Sequence, residues 1–484
     1  MSLKIYNTES RKLEVFEPLQ KGKVTIYVCG PTVYHFLHVG NFRGVVFFNL
    51  VRLWLEELGY QVEYALNFTD VDDKIITSAN EQGIKPEELA EKYIAEYKVD
   101  FASLGLQPHD HNPKVTDSMD EIRSIISKLI EGKKAYAVEG DVLFSIESMP
   151  TYGKLSGRHV EDLLAGARVE VDKKKRNPLD FALWKGVKPG EPSWTSEWGP
   201  GRPGWHIECS AMVEKVFGDQ IDIHGGGTDL VFPHHENEIA QSEGCTGKPY
   251  VKYWMHWQML NFGTQKMSKS LGNFVTMREF LHKYNSEIYK WMILSVHYRT
   301  ISDFSDEAVD RAVSNLARIY SAMAVAESLL AGQVAQTTDA AFDKVTTEAW
   351  VKVTDALNED FGTPNAVASL FEVIRQFNTQ VKRGIKPNPT VLGKAQSFMN
   401  FVAKIGKFMA MFQEPAQEFL TKLDDMLLEK MKLDRSVVDG LVAERSQARL
   451  AKDFAKSDEL RKKLTDLGIS VSDSADGSVW EVTK

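Results

Sequence analysis

Residues 23–70 read KVTIYVCGPTVYHFLHVGNFRGVVFFNLVRLWLEELGYQVEYALNFTD. The opening KVTIYVCG is an apolar run closed by glycine, the pattern of a buried strand. In RGVVFFNLVRLWLEELG, Val46, Leu50, Trp54 and Leu58 recur at helical spacing, and Gly59 stops the helix. YQVEYALNFTD then alternates Tyr60, Val62, Tyr64, Leu66 and Phe68, which is a strand period. Strand, helix and strand in so short a span make a βαβ unit, and hence a parallel sheet. Ligands of such sheets sit beyond the carboxyl ends of the strands, where Cys29 and Thr69 fall together. The G-x-G-x-x-G fingerprint is absent, so an ordinary dinucleotide fold is not indicated.

Cys29 is one of three cysteines, with Cys209 and Cys245. No second cysteine lies nearby in sequence, which excludes a local redox pair. A buried inert thiol, a nucleophile and a metal ligand remain. Cys209 lies in GRPGWHIECSAM, and VFPHHENEIAQSEG follows, where His234 and Glu238 are four apart and share a helix face. Two thiolates, an imidazole and a carboxylate suit tetrahedral zinc. The four are scattered rather than paired in a Cys-x-x-Cys motif, so two buried free cysteines and a capped helix fit the same pattern. His235 competes with His234 but stands three from Glu238. Cys245 follows a glycine and reads as a bystander.

His35 and His38 precede Gly40, Asn41 and a helix start near Arg43. A helix N-terminus attracts phosphate, and imidazoles can donate to developing negative charge. Far downstream, QKMSKSLGN (265–273) sets Lys266 and Lys269 around Ser268 in a glycine-bounded stretch, a chemistry suited to a triphosphate and its leaving pyrophosphate. Taken alone, the histidines also fit a structural role, and the lysines a solvated loop or a phosphorylation site.

Composition sets the frame. The 484 residues leave room for two to four domains, and 43% hydrophobic with 26% charged content is ordinary for a globular chain. Lysine and arginine number 58 against 67 acidic residues, a net charge of −9, so contact with nucleic acid must come from local basic surfaces. No apolar run is long enough for a bilayer, no signal peptide is evident, and the scarcity of cysteine implies the cytoplasm. The character of the chain changes near Pro113, and the sheet signal resumes at QIDIHGGG. Beyond residue 300 it is mostly helical, broken at AGQVAQTTDAA and RGIKPNPT. A charged helix is expected over Val438 to Leu467, followed by a hairpin around Asp476-Gly477. Along that helix Arg445, Arg449, Lys452 and Lys456 recur every three to four residues as a basic stripe, with Trp480 available for base stacking.

HVGN (38–41) resembles the HIGH signature, and KMSKS (266–270) is the full second signature, of class I aminoacyl-tRNA synthetases. Between them, CGPTVYHFLHVGN, NFTDVDDKII, RPGWHIECSAM and IDIHGGGTDLVFPHHENEIAQSE closely resemble the cysteinyl-tRNA synthetase family, nearly end to end. Four positions depart from that pattern. Asn41 replaces the last histidine of the first signature, Val39 its isoleucine, Phe42 a commonly small residue and Phe68 a valine.

The resemblance implies an α/β Rossmann-type catalytic domain split by an insertion, then a helical bundle and a small C-terminal α+β domain. The expected division is 1–112 and 191–260 for the catalytic halves, 113–190 for the insertion, 261–304 for the second-signature loop and stem contact, 305–415 for the anticodon-binding bundle and 425–484 for the C-terminal tRNA-binding domain. It implies one zinc held by Cys29, Cys209, His234 and Glu238, and Mg²⁺ with ATP. The substrate thiolate would bind that zinc, where serine offers only a poorer hydroxyl, so no editing domain is needed. Thr69, Trp205 and His224 would complete the cysteine pocket. His35, His38, Gly40, Asn41, Gly226, Asp229, Lys266, Ser268 and Lys269 would bind ATP, with His35, His38, Lys266 and Lys269 catalytic. The expected activity is AMP-forming ligation of cysteine to tRNA(Cys) by a cytoplasmic monomer. Its rival is a related ligase that joins cysteine to an amino-sugar, which would lack the C-terminal tail. A non-catalytic descendant is disfavoured by the intact signatures.

Overall fold

The computed structural model describes residues 2–159, 173–262, 275–335, 337–474 and 477–484, and the quoted stretch takes the strand, helix and strand read from it. After an N-terminal hairpin, β1 (Lys4–Asn7) and β2 (Lys12–Val15), come β3 (Lys23–Val28), α1 (Phe42–Glu57) and β4 (Gln61–Leu66). There follow α2 (Asp73–Gln82), α3 (Pro86–Ser103), α4 (Met119–Glu131) and four short strands, β5 (Ala135–Val138), β6 (Asp141–Phe144), β7 (Phe181–Gly186) and β8 (Gly201–Pro203). Next are α5 (Trp205–Phe217), β9 (Ile221–Gly227), α6 (Glu236–Thr246) and β10 (Val251–Trp257).

The central sheet of the first unit has the order β10-β9-β3-β4, with every neighbouring pair parallel. Burial explains the composition of its strands. Every residue of β9 is buried, as expected of an inner strand covered on both faces. The buried Asp222 is tolerated there because it accepts hydrogen bonds from the Leu19 and Thr25 amides and the Thr25 hydroxyl. Strands β5 to β8 form a separate antiparallel sheet that begins in the stretch expected as an insertion and runs past its expected end at 190 to Pro203. Its residues Val142, Phe144, Leu183 and Trp184 share one core with Ile122 and Ile126 of α4, Ile207 of α5 and Trp254 of β10. This antiparallel sheet therefore shares its core with α4, with α5 and with β10 of the central sheet.

The second unit is helical, with α7 (Met277–Lys283) crossing from the first by sequence. It contains α8 (Ser286–Leu294), α9 (Asp306–Leu330), α10 (Ala340–Asn358), α11 (Thr363–Gln380), α12 (Pro389–Met409) and α13 (Ala416–Met431). The helix gaps fall at the two sequence breaks expected between residues 330 and 390. Among the described residues no helix is long and apolar enough to cross a membrane.

The C-terminal end corrects two expectations. The single helix over Val438 to Leu467 is two helices, α14 (Arg435–Leu450) and α15 (Phe454–Asp466). Lys452 turns the chain with a φ of +60°, and Asp453 caps α15 by accepting from the Lys456 amide at 3.1 Å. The basic stripe dissolves for the same reason. Arg445 is buried and paired to Asp473 at 2.7 Å, Arg449 pairs to the same carboxylate, and Lys456 stands on the other helix. The hairpin does form, from Ile469–Ser474 and Gly477–Val482, and Ser474 opposes Gly477. Asp476 lies outside the described residues. The ring of Trp480 lies beneath the Arg435 guanidinium at 4.6 Å, and its indole N–H bonds Asp439 at 2.7 Å.

Candidate active site and metal centre

The carboxyl ends of β3 and β4 bring the first pieces together. Thr32 bridges Thr69, whose amide donates to the Pro31 carbonyl at 3.2 Å, so buried Thr69 lies beside the segment that follows Cys29. Cys29 itself donates its amide to Gly225 of β9, at 3.0 Å. From there its sulfur meets residues of α5, of the turn at Val231–His235 and of α6. Cys29 Sγ is 3.7 Å from Cys209 Sγ, 3.6 Å from His234 Nε2 and 3.7 Å from Glu238 Oε1, and His234 Nε2 is 3.0 Å from Glu238 Oε1. The helical spacing of His234 and Glu238 thus puts both donors on one side. For zinc at its usual bond lengths, tetrahedral angles require about 3.8 Å between two sulfurs and about 3.6 Å between sulfur and nitrogen. The cluster has those edges, and the donor set fits the ion.

Charge in the cluster is divided: Cys209 and Glu238 are held as anions, whereas burial pushes the Cys29 thiol well up. The hydrogen bond with Cys29 brings the Cys209 thiol down to about 6, against the effect of burial. Burial also opposes ionisation of Glu238, but the His224 and His234 imidazoles hold its carboxyl well below the usual range. A second set, Cys29, His224, His235 and Glu238, overlaps the first. In it His235 Nε2 lies 3.3 Å from Cys29 Sγ but 3.9 Å from Glu238 Oε1. The Nδ1 of His235 is engaged by His256 Nε2 at 2.8 Å, and His256 Nδ1 by the Thr8 hydroxyl at 2.8 Å. Close approach here needs glycine: a Cβ on Gly226 would stand 2.4 Å from the His235 ring.

Trp205, the first residue of α5, lays its indole on the His234 ring at 4.4 Å between centroids and stays 41% exposed, so it is not core packing. His224, expected in the cysteine pocket, is fully buried and bonds Glu238 Oε2 at 2.8 Å. Sequence reading missed His206, whose Nδ1 is 3.1 Å from that of His234, and Tyr250, whose hydroxyl reaches Glu238 Oε2 at 3.2 Å. Only the period-two spacing of Tyr250, Trp254 and His256 around β10 hinted at an inward-facing aromatic wall.

The first signature forms a tight turn into α1. The His38 amide donates to Asn41 Oδ1 at 3.1 Å, and a Cβ on Gly40 would stand 2.9 Å from the His38 ring. Burial pushes the His38 imidazole down to about 4, so it is neutral near pH 7. His35 stacks on Tyr93 at 5.9 Å. The segment just after the second signature runs alongside: His38 bridges Thr276, the Val39 amide donates to Val275, and the Met277 amide to Leu37. Asp229 is exposed, its carboxylate against Gly227, one residue from the buried Gly226. Lys266, Ser268 and Lys269 lie outside the described residues.

Comparison with known proteins names the class. Residues 15–314 match the model of the class I (C) tRNA synthetase catalytic domain. Methionyl-tRNA synthetase of Mycobacterium tuberculosis, solved with methionyl-adenylate, shares the fold at a TM-score of 0.60 and 12% identity, over 86% of this chain and 94% of that one. The chain has the architecture of a class I aminoacyl-tRNA synthetase.

Residues 352–413 match the DALR domain, and 436–480 the anticodon-binding domain of cysteinyl-tRNA ligase. The chain is 71% identical to the cysteine–tRNA ligase of Bdellovibrio bacteriovorus, over the full length of both. It is 43% identical to that of Syntrophotalea carbinolica, over 99% of this chain and all of the relative. The chain belongs to the cysteine–tRNA ligase family. With both tail domains present, the amino-sugar ligase reading is not favoured.

Proposed function

We propose that Cys29, Cys209, His234 and Glu238 hold one zinc ion that selects cysteine for ligation to tRNA(Cys). The observation that carries this reading is the set of tetrahedral donor edges at the carboxyl end of a parallel sheet. Zinc bound there would supply a Lewis acid that favours a thiolate over the hydroxyl of serine. The chain's residues do the rest by positioning. Thr69 and Trp205 flank the amino acid, and His224 completes the pocket from beneath, through Glu238. His35, His38, Gly40 and Asn41 take the phosphate side of ATP, accompanied by Mg²⁺; Gly226 and Asp229 approach the adenosine. Lys266 and Lys269, with Ser268, neutralise charge as the cysteine carboxylate attacks the α-phosphorus and pyrophosphate leaves. His35 and the neutral His38 donate to the same charge, and no general base is needed because a carboxylate is already a nucleophile.

The enzyme is read as a cytoplasmic monomer with the domain division given above, its helical bundle and C-terminal domain serving the anticodon end of tRNA. Metal analysis tests the centre: about one zinc per chain is expected, and Cys209→Ala should lose it together with discrimination against serine in ATP–pyrophosphate exchange. Full zinc occupancy in that variant would exclude the assignment.

A further inference from the structure

The Glu238 carboxylate is gripped on both of its oxygens. Oε1 belongs to the cluster, 3.0 Å from His234 Nε2 and 3.7 Å from Cys29 Sγ. Oε2 turns away and lies 2.8 Å from His224 Nε2 and 3.2 Å from the Tyr250 hydroxyl. An ionised carboxylate only accepts, so both partners must donate, which places the His224 proton on Nε2. The His224 ring has little freedom to leave. It stacks on Trp254 at 4.6 Å and 19°, and meets the Tyr27 ring edge-on at 5.2 Å. Tyr250 is fixed in turn at the start of β10, where its carbonyl accepts from Ile221 at 3.1 Å and its amide donates to Glu243 at 3.3 Å. All three side chains are shut off from water.

We propose that His224 and Tyr250 are positioning residues that keep Glu238 a one-oxygen ligand. This rests on the zinc reading above. A carboxylate free to swing can offer a metal both of its oxygens, as glutamate does elsewhere. With Oε2 tied back by two donors, the protein would offer one sulfur from each cysteine, one nitrogen and one oxygen, so that a second glutamate oxygen does not compete with a substrate sulfur. Hydrogen-bond partners of metal ligands commonly set affinity by tenfold or more. Here they would also set how well cysteine competes for the ion. Tyr250 is thus a specificity determinant that touches neither substrate nor metal.

The test removes a single oxygen atom. Tyr250→Phe keeps the ring and its packing. The parent and the variant are compared as full-length proteins loaded with zinc, or with cobalt(II) as a spectroscopic stand-in. The expected result is at least tenfold weaker zinc retention against a chelator. The visible cobalt bands should weaken as a second oxygen joins. In pyrophosphate exchange KM for cysteine should rise about tenfold while KM for ATP stays put. An unchanged cobalt spectrum with an unchanged KM for cysteine overturns the proposal. Should Tyr250→Phe fail to fold, the pair His224→Ala and His224→Gln decides. Glutamine, which restores an N–H donor, should recover the cobalt band that alanine loses, and identical spectra for the two overturn the idea. Parent protein that binds no stoichiometric metal removes the zinc reading itself. A metal-loaded parent with indifferent variants removes only the positioning role.

Discussion

Phe42 and Phe68, the two bulky departures from the family pattern, converge on one ring. Phe42 stacks on Tyr97 at 5.4 Å and 15°, and Phe68 meets it edge-on at 5.1 Å, all three buried. The departures are therefore one packing solution, shared between the turn after the first signature and the end of β4. Phe42→Ala should cost about 3 kcal/mol and Phe68→Val roughly 1 to 2 kcal/mol. The double variant should cost less than their sum by about 0.5 kcal/mol or more, because both lose the same partner. Urea unfolding of the four proteins measures this, and strict additivity would contradict it. A second residue-scale consequence concerns pH. Burial pushes both His38 and His109 down to about 4, with Arg52 adding to the effect at His109. In the unfolded chain each titrates near its ordinary value of about 6.5. Between those values the unfolded chain binds protons that the folded one refuses, so these sites withdraw stability as pH falls from 6.5 toward 4. The variant His38→Asn/His109→Asn should lose less stability than the parent between pH 7.5 and 5, by a difference on the order of a few kcal/mol. Parallel curves would refute this.

At the scale of elements, the break between α14 and α15 shows how a helix reading goes astray. Charged residues keep their three-to-four spacing across Leu450 to Lys456, so periodicity alone runs the helix on. The stop is chemical. Asp453 is a better cap than helix interior, and Lys452 accepts a left-handed conformation, with the Asp453 amide donating back to Ala448 at 2.8 Å. Lys452→Gly should accordingly stabilise the protein by about 0.5 to 1 kcal/mol, since glycine removes the steric penalty of that φ. Asp453→Ala should destabilise it by about 1 kcal/mol. Thermal melts of the two variants are expected to move in opposite directions. Had the helix been continuous, both substitutions would act through helix propensity, and the glycine would be the damaging one.

Across the whole molecule, what could be read in advance was local: the βαβ unit, the helix breaks, the hairpin and the shared face of His234 and Glu238. The candidate metal cluster was different. Its donors come from the end of β3, from α5, from the turn before α6 and from α6 itself, and no local period links Cys29 to Cys209. Their residue types suggested zinc, but spacing alone left two inert cysteines and a capped helix open until the family resemblance favoured the set. His224 illustrates the remainder. Its strand position was evident, but that its ring turns to Glu238 depends on Trp254 and Tyr27, which are remote in sequence. The RNA-facing charge was the part least accessible to sequence, because ion pairing decides which cations are available. Arg445 and Arg449 are held by Asp473, whereas Lys382, Arg383 and Lys386, beside Gly384 after α11, are exposed.

With a net charge of −9, attraction to a polyanion has to come from such patches. Binding through phosphates releases counterions, so affinity falls with salt at a slope set by the number of contacts. A footprint of about four phosphates predicts roughly a hundredfold rise in KM for tRNA between 50 and 200 mM salt. KM for cysteine, if cysteine is recognised at the buried cluster as proposed, should barely move. The variant Lys382→Ala/Arg383→Ala should raise KM for tRNA and flatten its salt slope by about one to two units, with cysteine-dependent pyrophosphate exchange at the parent rate. An unaltered slope would mean that this patch faces solvent only, and that the phosphates are met elsewhere on the surface.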